Sequence, residues 1–324
     1  MILNGFATVP PTTLPTVTGT SGASVSNSCL AYILVQHCIQ CVCCLFSRIH
    51  VIAYCCVMDL KECLKGKLTE KELKLVKTSF DIVGSTAILE VPEELAGKEK
   101  LIAEAVFKIQ KNVKTVCKKS GDRSGIYRLR KYRKILGNDF ETIHKESGCQ
   151  FKLDIRKTYF SVRESTERLR ISSQINKKEN ILALFSGVGP FGIIIAKNHP
   201  DCKVDMVEIN PAACKYAEEN IRINKVSDRA VNYCGDIRKI HKQLGKYDRI
   251  IMPLPETACK FLDISIEHCR KNGIIYLYGI AGEQEGIIEN TIKKFKNLKL
   301  LERRKVLPYA PGVWKECWMI KKVF

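Results

Sequence analysis

The sequence predicts an α/β chain: a mostly parallel sheet in the carboxyl-terminal half, preceded by a smaller α+β domain. Three observations predict it. From Asn180 to Pro211 the chain runs apolar strand, glycine turn, helix, second apolar strand, then Glu208 and Asn210-Pro211. Further strand-like runs, Ala230–Cys234 and Tyr247–Met252, follow at the spacing of strand–helix units. Between Met58 and Phe160, amphipathic helical stretches mix with alternating ones. The expected organisation is therefore an extension over 1–57, an α+β domain over 58–160 and an α/β domain over 161–324.

The first 57 residues differ from the rest. Met1–Asn27 is rich in Thr, Pro, Ser and Gly and reads as disordered, whereas Ser28–Val57 is apolar and cysteine-rich. Ala31–Phe46 nearly reaches the length and apolarity of a membrane span, but Gln36, His37, Gln40, Arg48 and His50 interrupt the region around it. Two readings stand: an over-extended gene start with the native start at Met58, which is preferred, and a membrane anchor. Cys38-x-x-Cys41 with His37 and His50 lacks a second spaced pair, so no metal is expected. Of 16 cysteines, seven precede Met58 and nine are scattered singly, the usage of a reducing, cytoplasmic compartment.

In the 58–160 region, Leu60–Val76 carries leucines among charges as a surface helix does, and Ser79–Ile88 reads as two strands broken at Gly84. Lys98–Asn112 is an amphipathic helix, with Leu101, Ile102, Ala105, Val106 and Ile109 on one side. From Lys114 to Lys134 the only acid is Asp122, and Tyr127 and Tyr132 interleave with the bases. The alternation over Ile126–Lys131 predicts strands there. Together with a formal net charge of +19, this stretch points to a polyanionic partner, because neutralised phosphates release counterions. A strand through Phe151–Phe160 and a helix from Glu164 complete the region's end.

The second half turns on its glycines. Ile181–Phe185 is apolar throughout, as a strand buried on both faces must be. Gly187-x-Gly189-x-x-Gly192 has dinucleotide-fold spacing, and Pro190 suits a first helical position. A Walker loop would need Gly-Lys-Ser/Thr, which the turn lacks. Glu208 follows the glycines by about 20 residues, where such Rossmann-like folds hold a ribose through a carboxylate. Gly235-Asp236 closes the third strand, and Pro253-Leu254-Pro255 closes the fourth at the sheet edge where ligands bind. A helix over Glu256–Arg270, a strand over Lys271–Ile280, a helix over Gly282–Lys296 and two antiparallel strands finish the chain. Trp314 and Trp318 share one face of the last strand and are expected to pack.

These residues resemble a known family. LFSGVGPFGIIIAK, VEINP, DRIIMPLPE and YFSVRESTERLRI are similar to the archaeal and eukaryotic type of tRNA (guanine-37-N1)-methyltransferase, from about Met58 to the carboxyl terminus. The resemblance implies a class I S-adenosylmethionine-dependent methyltransferase sheet, S-adenosylmethionine as cofactor, tRNA as partner, no metal, and a monomer. It implies a cofactor site from Tyr159, Phe185, Gly187, Val188, Gly189, Glu208, Ile209, Asp236 and Pro253. Arg128 would reach the target base, Glu167 would be the general base and Pro255 part of a rigid wall over the methyl group.

The chemistry fits those types. Methylating guanine N1 removes a ring proton while negative charge moves to O6, which asks for a carboxylate and a fixed cation. Glu167 could instead pair with Arg163 or Arg170 on its own helix. Pro253 offers no side-chain carbonyl to an exocyclic amine, so ring-nitrogen chemistry is favoured over amine methylation. Departures from the family pattern are Val162, Ala183 and Pro253 where relatives carry Pro, Asp and Asn. A wyosine-pathway transferase that moves the aminocarboxypropyl group of the same cofactor, and a non-catalytic tRNA-binding protein, are the alternatives.

Overall fold

Gly66 sets the first departure from a simple helix. In the computed structural model, which describes residues 60–282 and 285–324, Gly66 adopts φ +72° and the expected helix over Leu60–Val76 divides there. The readings of residues 1–57 lie outside the described residues. After Gly66, helix α1 (Glu70–Leu75) starts at Thr69. Thr69 Oγ1 accepts the Glu72 N–H at 3.3 Å while the Glu72 carboxylate accepts the Thr69 N–H at 2.8 Å.

Strands β1 (Asp81–Val83) and β2 (Thr86–Leu89) pair antiparallel around Gly84, as expected. Helix α2 (Glu99–Ile109) buries Ile102, Ala103, Ala105 and Val106 and carries the chain back to β3 (Thr115–Lys119), parallel to β2. Strand β4 (Tyr132–Gly137) then pairs antiparallel with β3, completing a four-stranded sheet. The strand expected over Ile126–Lys131 does not form. Gly121 and Gly125 adopt φ +90° and +71°, and the Arg128 N–H donates to the Gly125 carbonyl at 3.0 Å. That closes a tight loop and leaves Arg128 itself at φ +54°.

A hairpin of β5 (Glu141–Glu146) and β6 (Cys149–Asp154) follows. Its two-residue turn, Ser147-Gly148, has φ +50° and +73°, the positive values that match strand twist. Helix α3 (Ser165–Ser173) leads into the large sheet: β7 (Asn180–Leu184), α4 (Pro190–Asn198), β8 (Lys203–Glu208), α5 (Pro211–Ile223) and β9 (Ala230–Cys234). The short α6 (Ile237–Ile240), β10 (Tyr247–Met252), α7 (Leu262–His268), β11 (Cys269–Ile280), α8 (Glu285–Lys294), β12 (Leu298–Ala310) and β13 (Val313–Lys322) complete it. The helix expected over Glu256–Arg270 is shorter, because Cys269 and Arg270 already belong to β11.

The strand order is β12-β13-β11-β10-β7-β8-β9, parallel from β11 to β9 with β12 and β13 antiparallel. Alternation decides which face each side chain covers. Ile181 and Ala183 pack with Ile193, Ile194 and Tyr278 on one face; Leu182 and Leu184 pack with Leu262, Ile266 and Ile288 on the other. Trp318, wholly buried, belongs to the second face, a packing role as expected.

The first of these clusters also takes in Phe151 and Leu153 of β6 and Val83, Ile88 and Cys117 of the small sheet, so packing runs across the boundary expected after Phe160. Helix α5 seals β6 like another strand. Asn220 and Asn224 accept the N–H groups of Lys152 and Gln150 and donate to their carbonyls, at 2.7 to 3.1 Å. Among the described residues, no helix is long and apolar enough to cross a membrane. From β7 the chain adds β8 and β9 on one side, then returns to add β10 and β11 on the other. The crevice between the diverging β7 and β10 loops is where open α/β sheets take ligands.

Candidate active site

A cavity of about 410 Å³ occupies that crevice. Its first wall is the glycine turn. Phe185, Gly187 and Gly189 adopt φ +53°, +56° and +89°, and Gly189 caps α4 with Pro190 in the first helical turn. The Gly187 N–H donates to Glu208 Oε2 at 2.7 Å, and the Asn210 N–H donates to Oε1 at 2.8 Å. Burial pushes the Glu208 carboxyl above the ordinary glutamate range, while the backbone N–H groups of Asn210, Gly187 and Ile209 pull it down by less. A carboxylate has about four acceptor sites, so two filled by backbone leave others for a ligand. Asp236 begins α6 by accepting the Arg238 N–H at 3.0 Å, and it also lines the cavity. Phe185 meets Phe261 edge-on at 5.1 Å, giving this end an aromatic wall.

The second wall is more charged. Tyr159 is half-buried, and the loss of water around its hydroxyl pushes that group up to about 12, with the nearby Glu164 adding to the shift. The guanidinium groups of Arg123 and Arg128 lie 4.6 and 5.1 Å from its ring centre. Arg128 Nη2 lies 2.5 Å from Glu256 Oε1, and the Tyr309 hydroxyl donates to the same oxygen at 3.2 Å. Opposite, Glu164 takes Lys315 Nζ at 3.0 Å and the Tyr159 hydroxyl at 3.4 Å. Lys315 also donates to the Pro253 carbonyl at 3.3 Å. A non-glycine residue at φ +54°, as Arg128 is, carries backbone strain of the kind that collects at functional sites.

Eight expected residues line the one cavity: Arg128, Tyr159, Phe185, Gly187, Glu208, Ile209, Asp236 and Pro253. Four do not. Val188 and Gly189 shape the turn from behind; the Val188 carbonyl accepts from Asn220 at 3.1 Å. Pro255 is buried, and Pro253 and Leu254 face the cavity instead. Glu167, expected to be the base, is turned away: Arg170 donates to both of its oxygens at 2.7 Å and the Tyr278 hydroxyl donates at 2.6 Å. The carboxylate that reaches the cavity is Glu164, just before that helix, which sequence reasoning used only as a helix start.

Glu256, Arg168 and Lys315 were missed as well. Arg168 is almost wholly buried, lines the cavity, and donates to both Glu146 oxygens at 2.6 and 2.7 Å and to the Ser161 carbonyl at 2.8 Å. The Arg168 signal was present in Glu167-Arg168-Leu169-Arg170, but burial of an arginine depends on a partner from another hairpin. Cys214 and Cys234, read as single thiols, are joined as a disulfide beside Gly235. They were unreadable as a pair because Cys214 sits on α5 and Cys234 ends β9, directly opposite Glu208 in the neighbouring strand. Away from the cavity, His241, Glu267 and His268 bring ligand-type atoms within 4.8 Å of one another. His241 and His268 are 3.4 Å apart there, and Lys246 and Lys322 occupy the adjacent carbonyls of Glu267, Ile266 and Cys269.

Known proteins resemble this chain in sequence and in fold. The TRM5/TYW2 methyltransferase domain family matches residues 142–307, and the TYW2 N-terminal domain family matches residues 60–140. The tRNA (guanine(37)-N(1))-methyltransferase Trm5b of Pyrococcus abyssi is 41% identical over 249 residues, 74% of this chain and 73% of that protein. The structure of aTrm5 in complex with tRNALeu superposes with a TM-score of 0.73 at 31% identity, over 81% of this chain and 78% of that one. TYW2 of Methanocaldococcus jannaschii in complex with AdoMet superposes with a TM-score of 0.57 at 27% identity, over 76% of this chain and 100% of that one.

Proposed function

Because this chain belongs to the TRM5/TYW2 methyltransferase family, we propose that it transfers the methyl group of S-adenosylmethionine to N1 of guanine 37 in tRNA. The observation that carries this reading is a single cavity in which the Gly187–Glu208–Asp236 cradle runs into Arg128 and Glu164. The cradle fits the cofactor: Glu208 is held by two backbone N–H groups with acceptor sites to spare for ribose hydroxyls, and Asp236 offers an acceptor for an adenine amine. Phe185, Phe261 and Leu254 supply apolar surface for the ring.

When bound, S-adenosylmethionine supplies the electrophilic methyl. The protein's part is to hold the guanine, take its proton and stabilise its charge. Glu164, the cavity carboxylate beside Tyr159, takes the N1 proton. Arg128 donates to O6 as negative charge collects there. Lys315 fixes the position of the Glu164 carboxylate, and Pro253 and Leu254 shut water out on one side. Residues 58–160 serve as the tRNA-contacting module. Its loop between β3 and β4 carries Arg123, Arg128, Arg130 and Lys131, and Tyr127 and Arg128 of that loop line the cavity.

One observation favours a second reading, aminocarboxypropyl transfer in the wyosine pathway: the amino-terminal domain family that matches is the TYW2 type. Both readings are tested by mass spectrometry of nucleosides from unmodified and wyosine-precursor tRNA incubated with the protein and S-adenosylmethionine. One methyl on guanosine 37 is the expected result. An aminocarboxypropyl adduct on the precursor supports the second reading, and tRNA binding without either product overturns both. Glu164→Gln should lower kcat by roughly 100-fold or more, the usual contribution of a general base. If Glu167→Gln does so and Glu164→Gln does not, the base is Glu167.

A further inference from the structure

The methyl-transfer reading leaves one cavity carboxylate unused, and it is the one in contact with Arg128. Arg128 and Glu256 come from the β3–β4 loop and the segment after β10, and Tyr309 joins them from the end of β12. Both charged side chains line the cavity and lie near its mouth, 15% and 33% exposed. Guanine presents an acceptor, O6, followed along the same edge by two donors, N1–H and the 2-amino group. A guanidinium offers donors only and a carboxylate acceptors only. The Arg128–Glu256 pair is therefore the complement of that edge, and it is the wrong complement for adenine, whose order is donor then acceptor.

The other cavity carboxylates already have roles in that reading: Glu208 and Asp236 belong to the cofactor cradle, and Glu164 is the base beside Tyr159. Pro253, Leu254 and Pro255 carry no polar side-chain atom with which to accept an amine. We propose that Glu256 accepts from the 2-amino group of the target guanine while Arg128 donates to O6, making Glu256 the residue that selects guanine. This inference rests on the methyl-transfer reading above. In the resting protein, Arg128 and Glu256 satisfy each other. A guanine entering between them gives each charge a new partner, so neither state leaves a desolvated charge unpaired.

The test uses the full chain, S-adenosylmethionine and two tRNA substrates that carry guanosine or inosine at position 37. Inosine keeps O6 and N1–H and lacks the 2-amino group. The wild type should show a guanosine-to-inosine ratio in kcat/KM of roughly tenfold or more, since a site built to bond a group rejects the analogue without it. Glu256→Ala should bring that ratio close to one, and Glu256→Gln, which keeps an acceptor oxygen, should fall between. Both substrates are measured on one preparation, so an inactive fraction cancels from the ratio. A ratio unchanged in Glu256→Ala, or no preference in the wild type, overturns the inference alone. No methyl transfer to guanosine by the wild type overturns the reading on which it rests.

Discussion

Lys315 places its ammonium 3.0 Å from Glu164 Oε2, and the two side chains are only 4% and 6% exposed. The same ammonium lies 4.9 Å over the Tyr278 ring, whose hydroxyl in turn bonds Glu167. Deleting one member of a buried pair strands the other and costs about 3–5 kcal/mol, whereas replacing both with apolar groups is often near neutral. Lys315→Met should therefore lower unfolding stability by roughly 3 kcal/mol in a denaturant titration. The Glu164→Leu/Lys315→Met double variant should recover most of that loss. A loss below about 1 kcal/mol in the single variant would place the pair in water.

Glu208 gives cofactor binding a pH dependence of known sign. Its carboxyl is raised by burial, and only the ionised form is all acceptor. Affinity for S-adenosylmethionine should be full above that raised pKa and should fall as pH drops through it. The fall begins above the ordinary glutamate value of about 4.3. Calorimetric titrations between neutral pH and the acid limit of folding would read it, and Glu208→Gln should flatten the profile. Constant wild-type affinity down to ordinary glutamate pH would remove Glu208 from the ribose contact.

The strands and turns of the sheet were legible because their signals are local. Ile181–Phe185, the glycines after it and Glu208 each declare themselves within a few residues, and the folded chain brings them to one edge. Facing was not legible. Val162–Glu164 is a 3-10 turn before α3 begins at Ser165, and it is Glu164 and Arg168, four residues apart, and not Glu167, that reach the cavity. The loop over 120–131 was misread for a similar reason. Alternating side chains suggest a strand, but Gly121, Gly125 and Arg128 at positive φ override them. Partners distant in the chain, such as Lys315 for Glu164 or Glu146 for Arg168, leave no trace in local pattern.

Gly84 is where the small sheet meets the β5–β6 hairpin, and it cannot carry a side chain. Its N–H donates to His144 Nδ1 at 3.2 Å, and the next residue's N–H donates to Thr142 Oγ1 at 2.8 Å. A Cβ there would lie 2.6 Å from the Ile143 carbonyl oxygen and 2.2 Å from Thr142 Oγ1, at φ +55°. Left-handed backbone and overpacking together predict a loss of roughly 2–4 kcal/mol for Gly84→Ala. Gly97→Ala, with nothing within 4 Å of the added atom, should stay within about 0.5 kcal/mol of wild type. Equal stability of the two variants would show that the hairpin does not clamp the small sheet.

The Cys214–Cys234 disulfide ties α5 to the end of β9, with the two Cα atoms 5.7 Å apart. Cys214 is buried and its partner is exposed, so a reductant can reach the bond from one side. The link closes a loop of 20 residues, for which chain entropy in the unfolded state predicts a stabilisation of roughly 2–4 kcal/mol. Dithiothreitol should therefore lower the Tm of the wild type, and Cys234→Ser should lower it by a similar amount without reductant. The two treatments should not add, because they remove one bond. The next residue, Gly235, lines the cavity, so S-adenosylmethionine binding should weaken in the same two conditions. A Tm indifferent to reductant, with all thiols titrating in the denatured protein, would show that the two cysteines remain thiols.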